Sequence, residues 1–309
     1  MRAMMTIQLP ERPVRAALAV AAVLLLCGCP GNSQFVREDS GAVQPTTAAP
    51  CPVERSAYPW PQNEPDFTPL AQRIEAPEGF ARVNAGEGSW AEWLRHLPVR
   101  KPGTLVRDLG GSSVVAANLY PPAAVLDMDV RKYQECADVV LRLRAEYLLQ
   151  AGRDEQIVFH LTGGGDISWP QWKQGMRPRY DGRRLHFART GQPCSSRECF
   201  DAFLHSVYEW CGTLSLATEG TVVGSGAPRI GDFFVHGGSP GHGAIIVDLA
   251  TDGAGRWRAL LAHGYMPAQT PHVLRTPGGA TWFDLERDKP VRLPIWGSFT
   301  WSELRRFED

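Results

Sequence analysis

The stretch Gly241-His242-Gly243-Ala244-Ile245-Ile246-Val247 decides the fold that we predict for this chain. An apolar run with β-branched residues follows a Gly-His pair, which is typical of a buried strand. A short strand from Phe233 to Val235 comes before it, and a third strand from Trp257 to His263 follows a turn that contains glycine. Consecutive strands with short links favour an antiparallel sheet.

A long helix comes before this sheet in the chain and carries a cysteine. Apolar residues recur at helical spacing from about Val130 to Gln150, and Asp129 is a candidate N-cap. With that start, Cys136 lies about two turns inside the helix, whereas a reactive cysteine requires a start near Gln134, and the pattern leaves both open. Helices followed by a sheet predict an α+β fold with a single large domain.

The order of the cysteine and the histidines suggests a nucleophilic chemistry. A cysteine attacks carbonyl groups as the thiolate, and it needs a nearby imidazole or a helix N-terminus to form it. His242 opens the first long strand as the candidate base, and His263 ends the next strand as the group that orients it. The backbone N–H of Cys136 and the side chain of Gln134 are the candidate oxyanion donors. The predicted activity is hydrolysis of an amide or peptide bond without a cofactor.

Other interpretations of the same residues remain open. Cys136 can be a packed thiol in a non-catalytic binding module. A zinc site is a third class of answer, because His236, His242, Asp232 and His263 surround one turn and two strands. The chain has no H-x-x-x-H or C-x-x-C spacing to support it, so we predict no metal site.

The N-terminus predicts export and lipid attachment. Residues 1–28 have a basic flank and a short apolar core, which is typical of a signal peptide. A glycine before Cys29 indicates a bacterial lipoprotein signal with Cys29 as the lipidated residue, although Cys27 and an ordinary secretory signal are alternatives. Residues 29–65 predict a flexible stalk, and residues 66–309 a folded domain. No aspartate follows Cys29, which favours the outer over the inner membrane of the cell envelope.

The remaining cysteines give an odd number in an exported chain. Ser195 and Glu198 have the spacing of a capping box, which places Cys194 and Cys199 at positions that pack together at a helix start. A disulfide between those two is predicted, and a Cys51–Cys211 pair is a further alternative. Cys136 is then the unpaired thiol. The five cysteines after Cys29 are Cys51, Cys136, Cys194, Cys199 and Cys211.

The composition limits the class of partner. The chain has 32 basic and 33 acidic residues, so it has no basic surplus for nucleic acid. Ten tryptophans and 12 phenylalanines indicate a folded domain with aromatic side chains to line a groove. We expect a peptide or a cell-wall amide as the partner, and the membrane through the lipid.

Two resemblances support these expectations. Gly231-Asp232 followed by Gly241-His242 resembles the second half of papain-like cysteine- and histidine-dependent amidohydrolase/peptidase domains of the NlpC/P60 type. In those domains a helix that carries the catalytic cysteine packs on an antiparallel sheet, and the enzymes cut peptidoglycan peptides or amides. The resemblance therefore implies a papain-like core.

The second resemblance covers nearly all of the mature chain. Glu135-Cys136-Ala137-Asp138, Pro240-Gly241-His242 and Tyr265-Met266-Pro267-Ala268-Gln269 are similar to an uncharacterised bacterial lipoprotein family, the domain of unknown function 4846. This resemblance implies a cell-envelope protein without an established activity. The chain has His263-Gly264 where we associate that family with Gln-Ser.

Overall fold

The structure is a computed structural model, and it describes residues 53–308. It has an α+β architecture in which helices lie against an antiparallel sheet, as the order of the predicted elements indicates. Among the described residues, no helix combines the length and apolar character needed to cross a bilayer. The helices are α1 (Leu70–Arg73), α2 (Trp90–Arg95), α3 (Val115–Leu119), α4 (Cys136–Gln150), α5 (Trp169–Lys173), α6 (Arg197–Trp210) and α7 (Thr213–Leu216).

The main sheet has nine strands in the order β2-β11-β10-β9-β8-β15-β7, with β1 paired to β9 and β12 paired to β10. Two-stranded pairs form between β3 and β4, β5 and β6, and β13 and β14. The strands are β1 (Ala81–Arg82), β2 (Ala124–Val125), β3 (Val158–His160), β4 (Asp166–Ser168), β5 (Met176–Tyr180), β6 (Leu185–Arg189), β7 (Thr221–Val222), β8 (Phe233–His236), β9 (His242–Thr251), β10 (Trp257–His263), β11 (His272–Val273), β12 (Phe283–Leu285), β13 (Val291–Arg292), β14 (Ser298–Phe299) and β15 (Leu304–Arg306).

Strand β9 is the centre of the sheet. It is buried from His242 to Ala250, because β8 and β10 flank it and the two faces of the sheet are covered. The apolar run after His242 is the sequence signature of this double burial. The predicted strand from Trp257 to His263 has the bounds that the structure gives to β10.

Helix α4 begins at Cys136, which excludes the start at Val130 with Asp129 as N-cap and lies close to the alternative start near Gln134. Glu135 is the N-cap, and its backbone N–H donates to the carboxylate of Asp138 at 2.8 Å. The residue before Gln134, Tyr133, has a φ of 66°, a left-handed conformation that ends any helical path through this segment. Residues 130–134 therefore form a turn in front of the helix.

The first turn of α4 lies directly on two glycines of the sheet. A Cβ atom on Gly264 would stand 2.9 Å from the carbonyl oxygen of Glu135 and 2.7 Å from Cγ2 of Val139. A Cβ atom on Gly243 would stand 3.8 Å from Cα of Ala137. The absence of a side chain at these two positions allows the helix start to reach β9 and β10.

Residues 115–119 form α3, and Arg107 makes an isolated bridge with Ser113. The segment from 166 to 193 contains β4, α5 and the β5–β6 hairpin. The last part of the predicted stalk is folded, because Tyr58 and Trp60 are buried in the core and Trp60 donates its ring N–H to the carbonyl of Asp127 at 2.8 Å.

We predict that Gly264→Ala destabilises the fold by about 1–3 kcal/mol, because the added methyl overpacks a site bounded by backbone. Gly278→Ala is the matched control, since its methyl would meet only Thr276 Oγ1, at 3.8 Å. Denaturant unfolding of the full chain measures both. Equal midpoints for the two variants would contradict the close approach of α4 to the sheet.

Candidate functional site

One cavity of about 390 Å³ opens at the start of α4. Cys136 and His242 both line it, together with Asp138 from the first turn of the helix. The other walls come from the loop before β9, the loop after α6, and the segments around Tyr265 and Trp296. The cavity is therefore the place where the predicted nucleophile and the predicted base come together.

Cys136 occupies the first position of the helix. Its backbone N–H has no partner within α4, as is true of every first helical residue, so it remains a candidate oxyanion donor. The thiol is buried, and the backbone N–H of Gly243, the residue after His242, hydrogen-bonds to it. Burial raises the pKa of this thiol to about 11, and that N–H only partly opposes the rise.

The histidines form a chain of hydrogen bonds that continues past the predicted pair. His242 Nε2 lies 2.9 Å from His263 Nδ1, and His263 Nε2 lies 3.1 Å from Nε2 of His272. His272 Nδ1 then lies 3.0 Å from the backbone carbonyl oxygen of Thr270. Burial lowers the pKa of His242 to about 3 and that of His272 to about 4, and it holds the pKa of His263 well below its usual value.

The sulfur and the first ring share the cavity without a hydrogen bond between them, as far as residues 53–308 are described. The alternation of side chains along a strand gives the reason. Gly243 and Gly264 face α4, so their neighbours His242 and His263 project toward the other face of the sheet. The helix and the first ring meet only at the start of β9, where the cavity lies.

Comparison with known proteins places the chain in a family. The chain matches the model of a family described as a domain of unknown function (4846) over residues 70–306. The chain belongs to this 4846 family. A search of curated proteins and a search of solved structures gave no match.

In this member of the 4846 family, Gln134 does not take the predicted oxyanion position. Its side chain is fully buried beside α4, and its amide oxygen accepts a hydrogen bond from the guanidinium of Arg142. It does not line the cavity, because the turn before the helix folds it back toward that arginine. Tyr265 lines the cavity instead, and its pKa is raised by burial and then by the charge that a Cys136 thiolate would carry.

Sequence reasoning missed two aromatic side chains and one histidine. Trp296 stacks on the ring of His242 with centroids 5.0 Å apart, and Phe299 lies parallel to the same ring at 6.0 Å. Both come from the C-terminal part of the chain, and no motif connects them to His242. His272 lies on a two-residue strand, which is too short for a periodic signal.

Of the four residues of the zinc alternative, all within the described part of the chain, only His242 and His263 are joined by a side-chain hydrogen bond. Asp232 is buried and paired with Arg306, with its Oδ1 2.7 Å from Nε of the arginine. His236 lies at the end of β8 that is farther from Asp232, and it pairs with Glu303 at 2.6 Å. Among residues 53–308, no group of three or more potential metal ligands is close enough to hold an ion.

The predicted cysteine pair is a disulfide in the structure. Cys194 and Cys199 are joined at the start of α6, where Ser196 rather than Ser195 is the N-cap. Its hydroxyl accepts from the backbone N–H of Cys199 at 3.3 Å. Cys136 and Cys211 are free and buried, whereas Cys29 and Cys51 lie outside the described residues.

We predict that Cys136 of the native full chain reacts slowly with iodoacetamide at neutral pH. Only the thiolate reacts. Because the pKa is about 11, each increase of one pH unit between pH 6 and 10 should raise the thiolate fraction, and with it the rate, roughly tenfold. Mass spectrometry of the Cys136 peptide, across pH 6 to 10, measures the rate. A rate that is independent of pH over this range would show that a thiolate is already present and would contradict the expected neutral thiol.

Proposed function

We propose that this chain is a cysteine-dependent amidase or peptidase of the bacterial cell envelope. The observation that carries the proposal is the shared cavity, in which a thiol on the first residue of a helix and an imidazole on the first residue of a strand face the same space. Peptides or amides of the cell wall are the substrate class that we expect. No cofactor is required for this chemistry.

The roles follow from the positions of the groups. Cys136 Sγ bonds to the substrate carbonyl carbon while its proton passes to His242, and the backbone N–H of Cys136 donates to the oxygen that becomes negative. The C–N bond then breaks, and His242 returns the proton to the leaving amine. A water molecule, deprotonated by His242, attacks the thioester, and the carboxylic acid and the thiol are released. His263 holds the ring of His242 by the 2.9 Å hydrogen bond.

The burial of both groups determines how the thiol must be activated. The pKa values of about 11 for Cys136 and about 3 for His242 make transfer of the proton unfavourable by about 11 kcal/mol for separated groups. Two unit charges about 4 Å apart attract by about 4 kcal/mol at an effective dielectric constant of about 20, which offsets only part of that cost. The resting pair is therefore neutral. Proton transfer has to accompany attack on a bound carbonyl, when His242 and the sulfur have approached each other.

The same neutrality supports a second candidate function. A buried thiol that makes no hydrogen bond to the His242 ring in the described structure is also what a non-catalytic binding module would contain. In that case the cavity binds a cell-wall peptide without cutting it. The two candidates differ in whether bound peptide is converted to product.

The finer fold and the location are part of the proposal. A helix that begins with cysteine and lies on an antiparallel sheet supports a papain-like core. The Cys194–Cys199 disulfide supports export, because disulfides persist in oxidising compartments. Lipid attachment through Cys29, with outer-membrane placement, rests on the signal sequence.

We predict that the full chain releases new amino groups from purified peptidoglycan stem peptides, and that Cys136→Ala reduces this to background. His242→Ala should lower the rate by about 10²–10⁴, the usual contribution of a positioned general base. Mass spectrometry of the peptides measures the products. His186→Ala is the matched control, because that ring is exposed on β6, away from the cavity.

The outcome with uncut peptide separates the two candidate functions. Peptides that bind to the full chain, measured by calorimetry, but yield no product with any variant would overturn the hydrolase and support the binding module. Product formation that survives Cys136→Ala would exclude this cysteine as the nucleophile.

A further inference from the structure

Three buried imidazole rings form a single row that ends on a backbone carbonyl. His242, His263 and His272 are each about 1% exposed. They lie on adjacent strands of the sheet, since β9 pairs with β10 and β10 pairs with β11, and His263 is the direct cross-strand partner of His272. The row ends where His272 Nδ1 meets the carbonyl oxygen of Thr270.

The carbonyl fixes the direction of every hydrogen bond in the row. A carbonyl only accepts, so His272 must carry its proton on Nδ1. A neutral imidazole has one N–H and one acceptor nitrogen, which leaves Nε2 of His272 as an acceptor. His263 must then donate from Nε2 and accept at Nδ1, and His242 must donate from Nε2.

We propose that His272 is a positioning residue that sets the tautomers of the two histidines before it, so that Nδ1 of His242 carries the free lone pair at the cavity. The inference rests on the proposed function only for the use that this nitrogen would have there as the base. The direction of the row follows from the hydrogen bonds alone.

Without His272 the row would lose its direction. His263 Nε2 would have neither a fixed acceptor nor a fixed donor, so its ring could hold the proton on either nitrogen. His242 Nε2 would then face either an acceptor or an N–H across a 2.9 Å contact. If it faces an N–H, His242 must accept at Nε2, and its own proton moves to Nδ1. Nδ1 then has no lone pair with which to take a proton from a thiol.

The tautomers of the wild-type protein test this directly. The full chain is labelled with ¹⁵N at histidine, and the chemical shift of each ring nitrogen separates an N–H from a lone pair. Single His→Gln variants assign the three signals. We expect Nδ1–H for His272 and Nε2–H for both His263 and His242. An Nδ1–H signal for His242, or an Nε2–H signal for His272, would overturn the proposal.

Two substitutions test whether His272 sets the direction. His272→Phe keeps an aromatic ring but removes the acceptor, and we expect His263 and His242 to change from one tautomer each to a mixture. His272→Gln places an amide oxygen near the position of Nε2, so it should accept from His263 and preserve both tautomers. A folded His272→Phe protein in which His242 and His263 keep their wild-type tautomers would overturn the proposal. A His272→Gln protein in which either histidine becomes a mixture of tautomers would also overturn it.

The experiment also separates this inference from the proposed function. If the predicted tautomers are found and no peptide is cut, the positioning role of His272 stands and the hydrolase does not. If peptides are cut by a protein in which His242 is the Nδ1–H tautomer, the hydrolase stands and the role of His272 is excluded.

Discussion

The close approach of α4 to two glycines is the constraint on which the rest of the site depends. Each glycine follows one of the histidines, as His242-Gly243 and His263-Gly264. Because side chains alternate along a strand, each pair gives the helix a bare backbone on one face of the sheet and the histidine row a ring on the other. The same two His-Gly dipeptides therefore determine both how α4 packs on the sheet and where the imidazole rings lie. A methyl group in place of the Gly264 hydrogen would move the first turn of α4, and Cys136 with it, whereas one on Gly243 would first meet Cδ2 of Leu216, at 3.3 Å.

The burial that positions these groups also keeps them uncharged. The thiol has a raised pKa and the three imidazoles have lowered ones, all with desolvation as the main cause. A helix N-terminus favours the thiolate, but its contribution of up to about 2 kcal/mol is smaller than the cost of burying the charge here. Any reactivity therefore depends on what a ligand changes in the cavity. A neutral, enclosed thiol is also protected from oxidation.

The central strands could be predicted from the sequence because their signal is local. The apolar run of β9 and the bounds of β10 follow from composition and from the turn between them, and the predicted histidines are neighbours because these strands pair. The partners that arrive from elsewhere could not be predicted. His272 and Trp296 lie on segments whose positions depend on tertiary packing rather than on periodicity. The sequence left two helix starts open because Glu135 and Asp138 form an acidic variant of the capping pattern, while Asp129 matches the usual rule better.

A buried arginine explains why Asp129 does not cap the helix. Arg142 is fully enclosed on α4, and its guanidinium bonds the carboxylate and the carbonyl oxygen of Asp129 as well as the amide oxygen of Gln134. An unpaired guanidinium at this depth would be costly, so the segment before the helix folds back along α4 to pair with it. Extending the helix to residue 130 would remove these partners. The buried charge of Arg142 thus sets the start of the helix at Cys136. The cysteine therefore occupies the first helical position, whereas a start at Val130 would have placed it two turns inside.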